Sequence, residues 1–113
     1  MTVLHSTADL DAAIAKSQEH PIVLFKHSAT CPFSARAQEQ VALAKHDVDV
    51  YAHVVQYGKE LSDAIAERTG VEHASPQAII VDGGKAVWHG WRGEIQRAKL
   101  VELAGREEPK SAS

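Results

Sequence analysis

Apolar residues along this chain recur with two different periods, and the switches between them lay out the expected elements. In "STADLDAAIAKSQEH" Leu10, Ala13 and Ile14 recur at helical spacing, and Ser6 to Asp9 has the spacing of a capping box, so a helix is expected there. The run behind Pro21, Ile22 to Phe25 in "PIVLFKH", is continuous rather than periodic. It is too short for a globular helix and rich in β-formers, which predicts a central strand buried on both faces. "PFSARAQEQVALAKH" returns to the helical period. Pro32 suits the first helical position, Ala37, Val41 and Ala44 share a face, and Lys45 and His46 fall in the expected last turn. "VDVYAHVV" alternates at Val48, Val50, Ala52 and Val54, the period of a strand. "KELSDAIAERTG" predicts a third helix that turns Leu61, Ala64 and Ile65 inward and stops at Gly70. "QAIIVDGGKAVWHGW" reads as two strands joined at Asp82-Gly83-Gly84, and "GEIQRAKLVELAG" as a closing helix that groups Leu100, Leu103 and Ala104.

The order is α β α β α β β α. A β-α-β unit implies two parallel strands with a right-handed crossover, and the later pair implies an antiparallel hairpin. These combine into an α/β fold, a four-stranded mixed sheet flanked by helices on both faces. One domain over residues 1–105 accounts for all of them, and the polar, Pro-containing "REEPKSAS" (residues 106–113) is expected to be a disordered tail.

Composition narrows the function classes. The chain has 113 residues, enough for one domain with its own core, with 44% hydrophobic and 24% charged residues. A net charge of -3 argues against nucleic acid as a partner. The opening residues lack a basic segment followed by an apolar run, and no stretch approaches the ~18 apolar residues of a membrane span, so no export signal and no membrane partner are expected. A single cysteine forms no internal disulfide, and the reducing cytoplasm is the expected location.

That cysteine, Cys31 in "HSATCPFS", lies between the buried strand and the helix that Pro32 opens. Thiolate is the reactive form of cysteine, and a helix N-terminus, with its partial positive charge and unpaired N–H groups, favours it. The thiol pKa is therefore expected below its free value of about 8.5. Ser34 lies one helical turn on, where its hydroxyl or N–H can donate to the thiolate. It also stands where a dithiol oxidoreductase has its second cysteine, so an outside thiol must release whatever Cys31 has attached. The bland alternative is a buried, inert cysteine. Ser75 and Pro76 directly precede the third main strand. Pro76 is either an ordinary trans residue opening that strand or a cis residue whose neighbouring backbone pairs with an extended substrate. His27, at the end of the first main strand, either sits near the thiol as a proton shuttle or thiolate stabiliser, or is a solvated strand-end residue; Lys26 should point to the opposite face. No histidine pair has the spacing of a helical zinc site.

The cysteine at a strand–helix junction, the element order and the Pro before the third strand resemble the thioredoxin fold. "FKHSATCPFS", "SPQAII" and "GGKAVWHGW" together resemble the monothiol bacilliredoxin family, YtxJ-like proteins of bacteria that use bacillithiol in place of glutathione. The matching residues are Thr30, Cys31, Pro32 and Ser34, then Ser75, Pro76 and Gln77. The resemblance implies that Cys31 attacks protein–bacillithiol mixed disulfides, takes the bacillithiol and is freed by another thiol, and that Pro76 is cis. Ser75, Pro76 and Gln77 would then shape the substrate-docking edge, with Thr30, Pro32, Ser34 and His27 supporting Cys31. Trp91 and Arg92, where the last strand meets the last helix, are candidates for a rim that binds an anionic thiol such as bacillithiol, with its malate carboxylate pair.

The expectation is a monomeric monothiol oxidoreductase with bacillithiolated proteins as partners, bacillithiol as co-substrate, and no bound metal or cofactor. Two alternatives differ in class. One is an iron–sulfur carrier of the monothiol glutaredoxin type, which the replacement of C-G-F-S by C-P-F-S disfavours. The other is a non-catalytic binding module that uses the Pro76 edge.

Overall fold

The computed structural model describes residues 1–28, 32–55 and 58–105. The elements are β1 (Thr2–Val3), α1 (Thr7–Lys16), β2 (Ile22–His27), α2 (Pro32–Ala44), β3 (Asp49–Val54), α3 (Lys59–Thr69), β4 (Gln77–Asp82), β5 (Lys85–Trp91) and α4 (Arg97–Ala104), with a 3-10 turn over Arg92–Glu94. They form one sheet in the order β1-β3-β2-β4-β5. β2 runs parallel to β3 and antiparallel to β4, which pairs antiparallel with β5.

All six residues of β2 are buried. Its side chains alternate between two cores. Val23 and Phe25 pack with Val41 of α2 and Leu100 of α4, while Ile22 and Leu24 pack with Leu10 of α1 and Ile65 of α3. Helices therefore cover both faces, α2 and α4 on one and α1 and α3 on the other, as the continuous apolar run requires.

Five strands replace the expected four. β1 is two exposed residues paired parallel with β3, too short to show any period, and Leu4 extends the attachment through its N–H to Ala52 O (2.8 Å). α1 begins as its capping spacing predicts: Ser6 Oγ accepts the Asp9 N–H, while the Asp9 carboxylate accepts the N–H of His5. Two helices end earlier than expected. α1 stops at Lys16, and α2 stops at Ala44, so Lys45 and His46 lie in the following turn rather than in its last helical turn. The turn forms because Ala44 O accepts both Asp47 N–H (2.8 Å) and Val48 N–H (3.1 Å), which reverses the chain into β3. In α4, Leu100 and Ala104 are buried but Leu103 is exposed, because so short a helix turns only a narrow stripe toward the sheet. α3 stops at Gly70, whose φ of 74° is the left-handed cap that glycine supplies. The tail, residues 106–113, lies outside the described residues.

The β4–β5 hairpin turns on Gly83 and Gly84, at φ 62° and 84°, the two left-handed positions of a tight turn. Ser17, buried at the end of α1, ties that turn to the helix: its carbonyl accepts the Gly83 N–H (2.8 Å), and its Oγ accepts the Gly84 N–H (2.9 Å) while donating to Ile14 O. Ser17→Ala should cost ~1–2 kcal/mol, because it leaves the Gly84 N–H without its acceptor. Urea unfolding should show a lower midpoint at unchanged slope; an unchanged midpoint would mean that this tie contributes nothing.

Candidate functional site

The junction between β2 and α2 is built from the strand outward. β2 ends at His27, Ser28 follows, and α2 opens at Pro32. The N–H of Ser28 donates to Ser34 Oγ (2.9 Å), which ties the strand end to the first turn of the helix. Ser34 is fully buried, while Pro32 and Phe33 are exposed. That bond uses the serine hydroxyl as acceptor and leaves its proton for another partner. Thr30 and Cys31 lie outside the described residues; Cys31 is the residue before the first residue of α2.

The neighbouring strand contributes the second part. Lys26 of β2 pairs with Gln77, the first residue of β4, so the adjoining His27 and Pro76 lie at the same end of the sheet. The Ser75-Pro76 peptide bond is cis. Pro76 O accepts the N–H of Arg92 (3.2 Å), joining this loop to the 3-10 turn after β5. His27, Ser75 and Pro76 thus lie toward one end of the sheet, where Ser34 of α2 bonds the residue after His27.

Gln77 is placed differently from the other expected site residues. Its side chain is buried and turned inward, where Oε1 accepts from Lys26 Nζ (2.8 Å) and Nε2 donates to Glu72 O (3.1 Å). It positions the start of β4 and does not line a docking edge.

Among the described residues, two buried side-chain atoms lack a hydrogen-bond partner, His27 Nδ1 and Ser75 Oγ. Buried polar atoms are almost always paired, so these two stand out from the rest of the described residues. His27 is 9% exposed and its ring stacks on Phe25, with centroids 5.0 Å apart. It is therefore not a solvated strand-end residue. Burial lowers its pKa below 6.5, so near neutral pH the imidazole is uncharged. A neutral ring can exchange a proton or accept a hydrogen bond, but it does not stabilise a thiolate by charge.

The feature missed from sequence lies on the other face. Lys26 is fully buried, and burial pulls its pKa from 10.5 down to about 8. Close by, His53 Nε2 meets Ser62 Oγ (2.8 Å); burial, followed by the charge of Lys26, lowers the pKa of His53 and of the more exposed His73. A signal was present: at strand spacing Lys26 follows Ile22 and Leu24 on the face covered by α1 and α3.

Between pH 8 and 10.5 the unfolded chain binds more protons at Lys26 than the folded one, so this group makes stability rise with pH across that window. In Lys26→Met the term disappears. The unfolding free energy of wild type minus variant should rise by ~2 kcal/mol from pH 8 to pH 10 in urea titrations. A pH-independent difference would contradict a buried, titrating lysine.

Comparison with known proteins gives one family model and a set of structures with the same fold. A family model described as monothiol bacilliredoxin BrxC matches residues 2–100. A solved structure, described provisionally as an oxidoreductase with a thioredoxin fold, is 35% identical; the match covers 90% of this chain and 91% of that one with a TM-score of 0.80. Fasciola hepatica thioredoxin matches at 25% identity and TM-score 0.71, over 90% of this chain and 94% of its own. Thioredoxin O1 from Arabidopsis thaliana in the oxidised state, 21% identical over 91% of this chain and 96% of its own, shares the fold at TM-score 0.70.

Proposed function

Because the chain belongs to the monothiol bacilliredoxin family and is a thioredoxin-fold thiol oxidoreductase, we propose that it removes bacillithiol from protein mixed disulfides through Cys31 alone. The observation that carries this reading is the junction itself: a strand buried on both faces ends at His27, and α2 opens at Pro32, one residue after Cys31. α2 is 13 residues long, and the first turn of such a helix carries the partial positive charge that favours the ionised form of a thiol next to it in sequence.

The reaction is a pair of thiol–disulfide exchanges. The Cys31 thiolate attacks the bacillithiol sulfur of the mixed disulfide. A Cys31–bacillithiol disulfide forms, the protein–bacillithiol disulfide breaks, and the substrate protein leaves as a thiolate that takes up a proton. An outside thiolate then attacks the bacillithiol sulfur and Cys31 departs as thiolate, so bacillithiol ends in a disulfide with the second thiol. Ser34 replaces a resolving cysteine, which makes this outside thiol obligatory. His27, uncharged and with an unpartnered Nδ1, is suited to pass a proton during these steps. Ser75 and Pro76, on the facing strand end, flank the approach of the substrate chain. No bound metal or cofactor takes part. The protein works as a monomer in the cytoplasm, where reducing thiols are available.

The test is to mix the protein with a bacillithiolated substrate and weigh the products. Wild type should gain the mass of one bacillithiol while the substrate loses it, and Cys31→Ser should do neither. Transfer that persists in Cys31→Ser would overturn the assignment.

A further inference from the structure

Beside the start of α2 lies a pocket of about 410 Å³ lined by Pro32, Phe33, Arg36, Arg92 and Gly93. We propose that Arg36 and Arg92 in this pocket bind the carboxylates of the low-molecular-weight thiol that Cys31 takes up, a thiol carrying two carboxylates, as the malate portion of bacillithiol does. The proposal rests on the bacilliredoxin reading and adds to it the place where the thiol is recognised.

Arg92 is held as a fixed element. Its φ is 54°, a left-handed conformation that a residue with a side chain keeps only where its surroundings impose it, and such residues cluster at ligand clamps. Its N–H donates to Pro76 O (3.2 Å) and its carbonyl accepts the N–H of Ile95 (3.0 Å). Its guanidinium carbon lies 4.1 Å from the ring centroid of Phe33 and 4.2 Å from that of Trp91. Two aromatic rings against the guanidinium carbon hold the cation in place without using its N–H donors in an ion pair, and those donors suit a carboxylate. Phe33 and Trp91 nevertheless remain 49% and 45% exposed, so the clamp stands at the surface and not in the core. Arg36 follows Phe33 at i+3 on the same face of α2 and completes the pocket.

Charge pairing separates these two arginines from the other described ones. Arg68 meets Asp11, and Arg97 meets Asp47 at 3.7 Å. Among the described residues neither Arg36 nor Arg92 has a carboxylate within ion-pairing distance. The carboxylate of Glu94, two residues from Arg92, accepts the Trp91 N–H instead (2.8 Å). Two unpaired guanidinium groups thus share a pocket whose wall includes Pro32, the residue bonded to Cys31. Two cations answer two carboxylates.

The same step is then selective by charge. In the attack on protein–S–S–R, sulfur R forms its bond to Cys31 while the protein thiolate leaves, and the carboxylates of R rest on the arginines throughout. The test uses one substrate protein with a single surface cysteine, carried either as its bacillithiol adduct or as its uncharged 2-mercaptoethanol adduct. The readout is the ratio of kcat/KM for the two adducts in wild type, Arg36→Gln and Arg92→Gln. Each substitution should lower that ratio about tenfold, the worth of one charge-assisted hydrogen bond, and 1 M salt should lower it in wild type but much less in the double variant. Arg36, exposed on a helix, keeps the test valid if Arg92→Gln fails to fold. Equal losses on both adducts, or an unchanged ratio in both variants, would overturn the subsite while leaving exchange intact. Failure of wild type to exchange either adduct would overturn the bacilliredoxin reading, and the subsite with it.

Discussion

Burial of β2 on both faces and pairing on both of its edges is the constraint from which the rest follows. Phe25 faces α2 and α4, Leu24 faces α1 and α3, β3 holds one edge and β4 the other. A strand so enclosed leaves its last residues little freedom. His27 therefore ends at a fixed place, and the short connection to Pro32 starts from a rigid support, the arrangement in which a loop can present chemistry reliably. The Ser28 N–H to Ser34 Oγ bond then fixes the helix relative to the strand, so the two sides of the connection are set against each other.

Adjacent residues at the end of β2 show how that rigidity is divided between structure and chemistry. Lys26 turns one way into a closed network with Gln77, which passes the tie on to Glu72 O and so steadies the segment leading to Pro76. His27 turns the other way, stacks on Phe25 and keeps Nδ1 without a partner. The partnered residue supports the start of β4, and the unpartnered one is the residue proposed to pass a proton. Arg92, bonded to Pro76 O and laid against Phe33, links the same edge to the first turn of α2. Strand end, proline loop and helix start therefore form one connected rim.

Much of this was readable in the sequence because burial imposes period. The unbroken apolar run at residues 22–25, the i and i+4 spacing of Ala37 and Val41, the left-handed Gly70 and the paired glycines of the hairpin each follow from a local rule that the fold also obeys. Local rules failed where tertiary contact decides. β1 exists only because β3 offers an edge, and α2 ends at Ala44, after which the Lys45 N–H bonds Ala42 O, three residues back rather than four. Leu103 faces solvent although its spacing admits it to the core, and Gln77 turns inward because Lys26 lies across from it. The motif residues Pro32, Ser34, Ser75 and Pro76 were found by spacing and resemblance. The clamp on Arg92 was not, because Phe33 is brought to it from 59 positions away in the chain.

The proposed exchange requires Cys31, next in the chain to the first residue of α2, to be favoured as a thiolate and able to reach a disulfide. The direct measurement is the rate of Cys31 alkylation by iodoacetamide in the native protein as a function of pH. The expected result is a single titration with its midpoint well below the free-thiol value of about 8.5 and full reaction without denaturant. A midpoint at or above that value, or a cysteine that reacts only after unfolding, would contradict it.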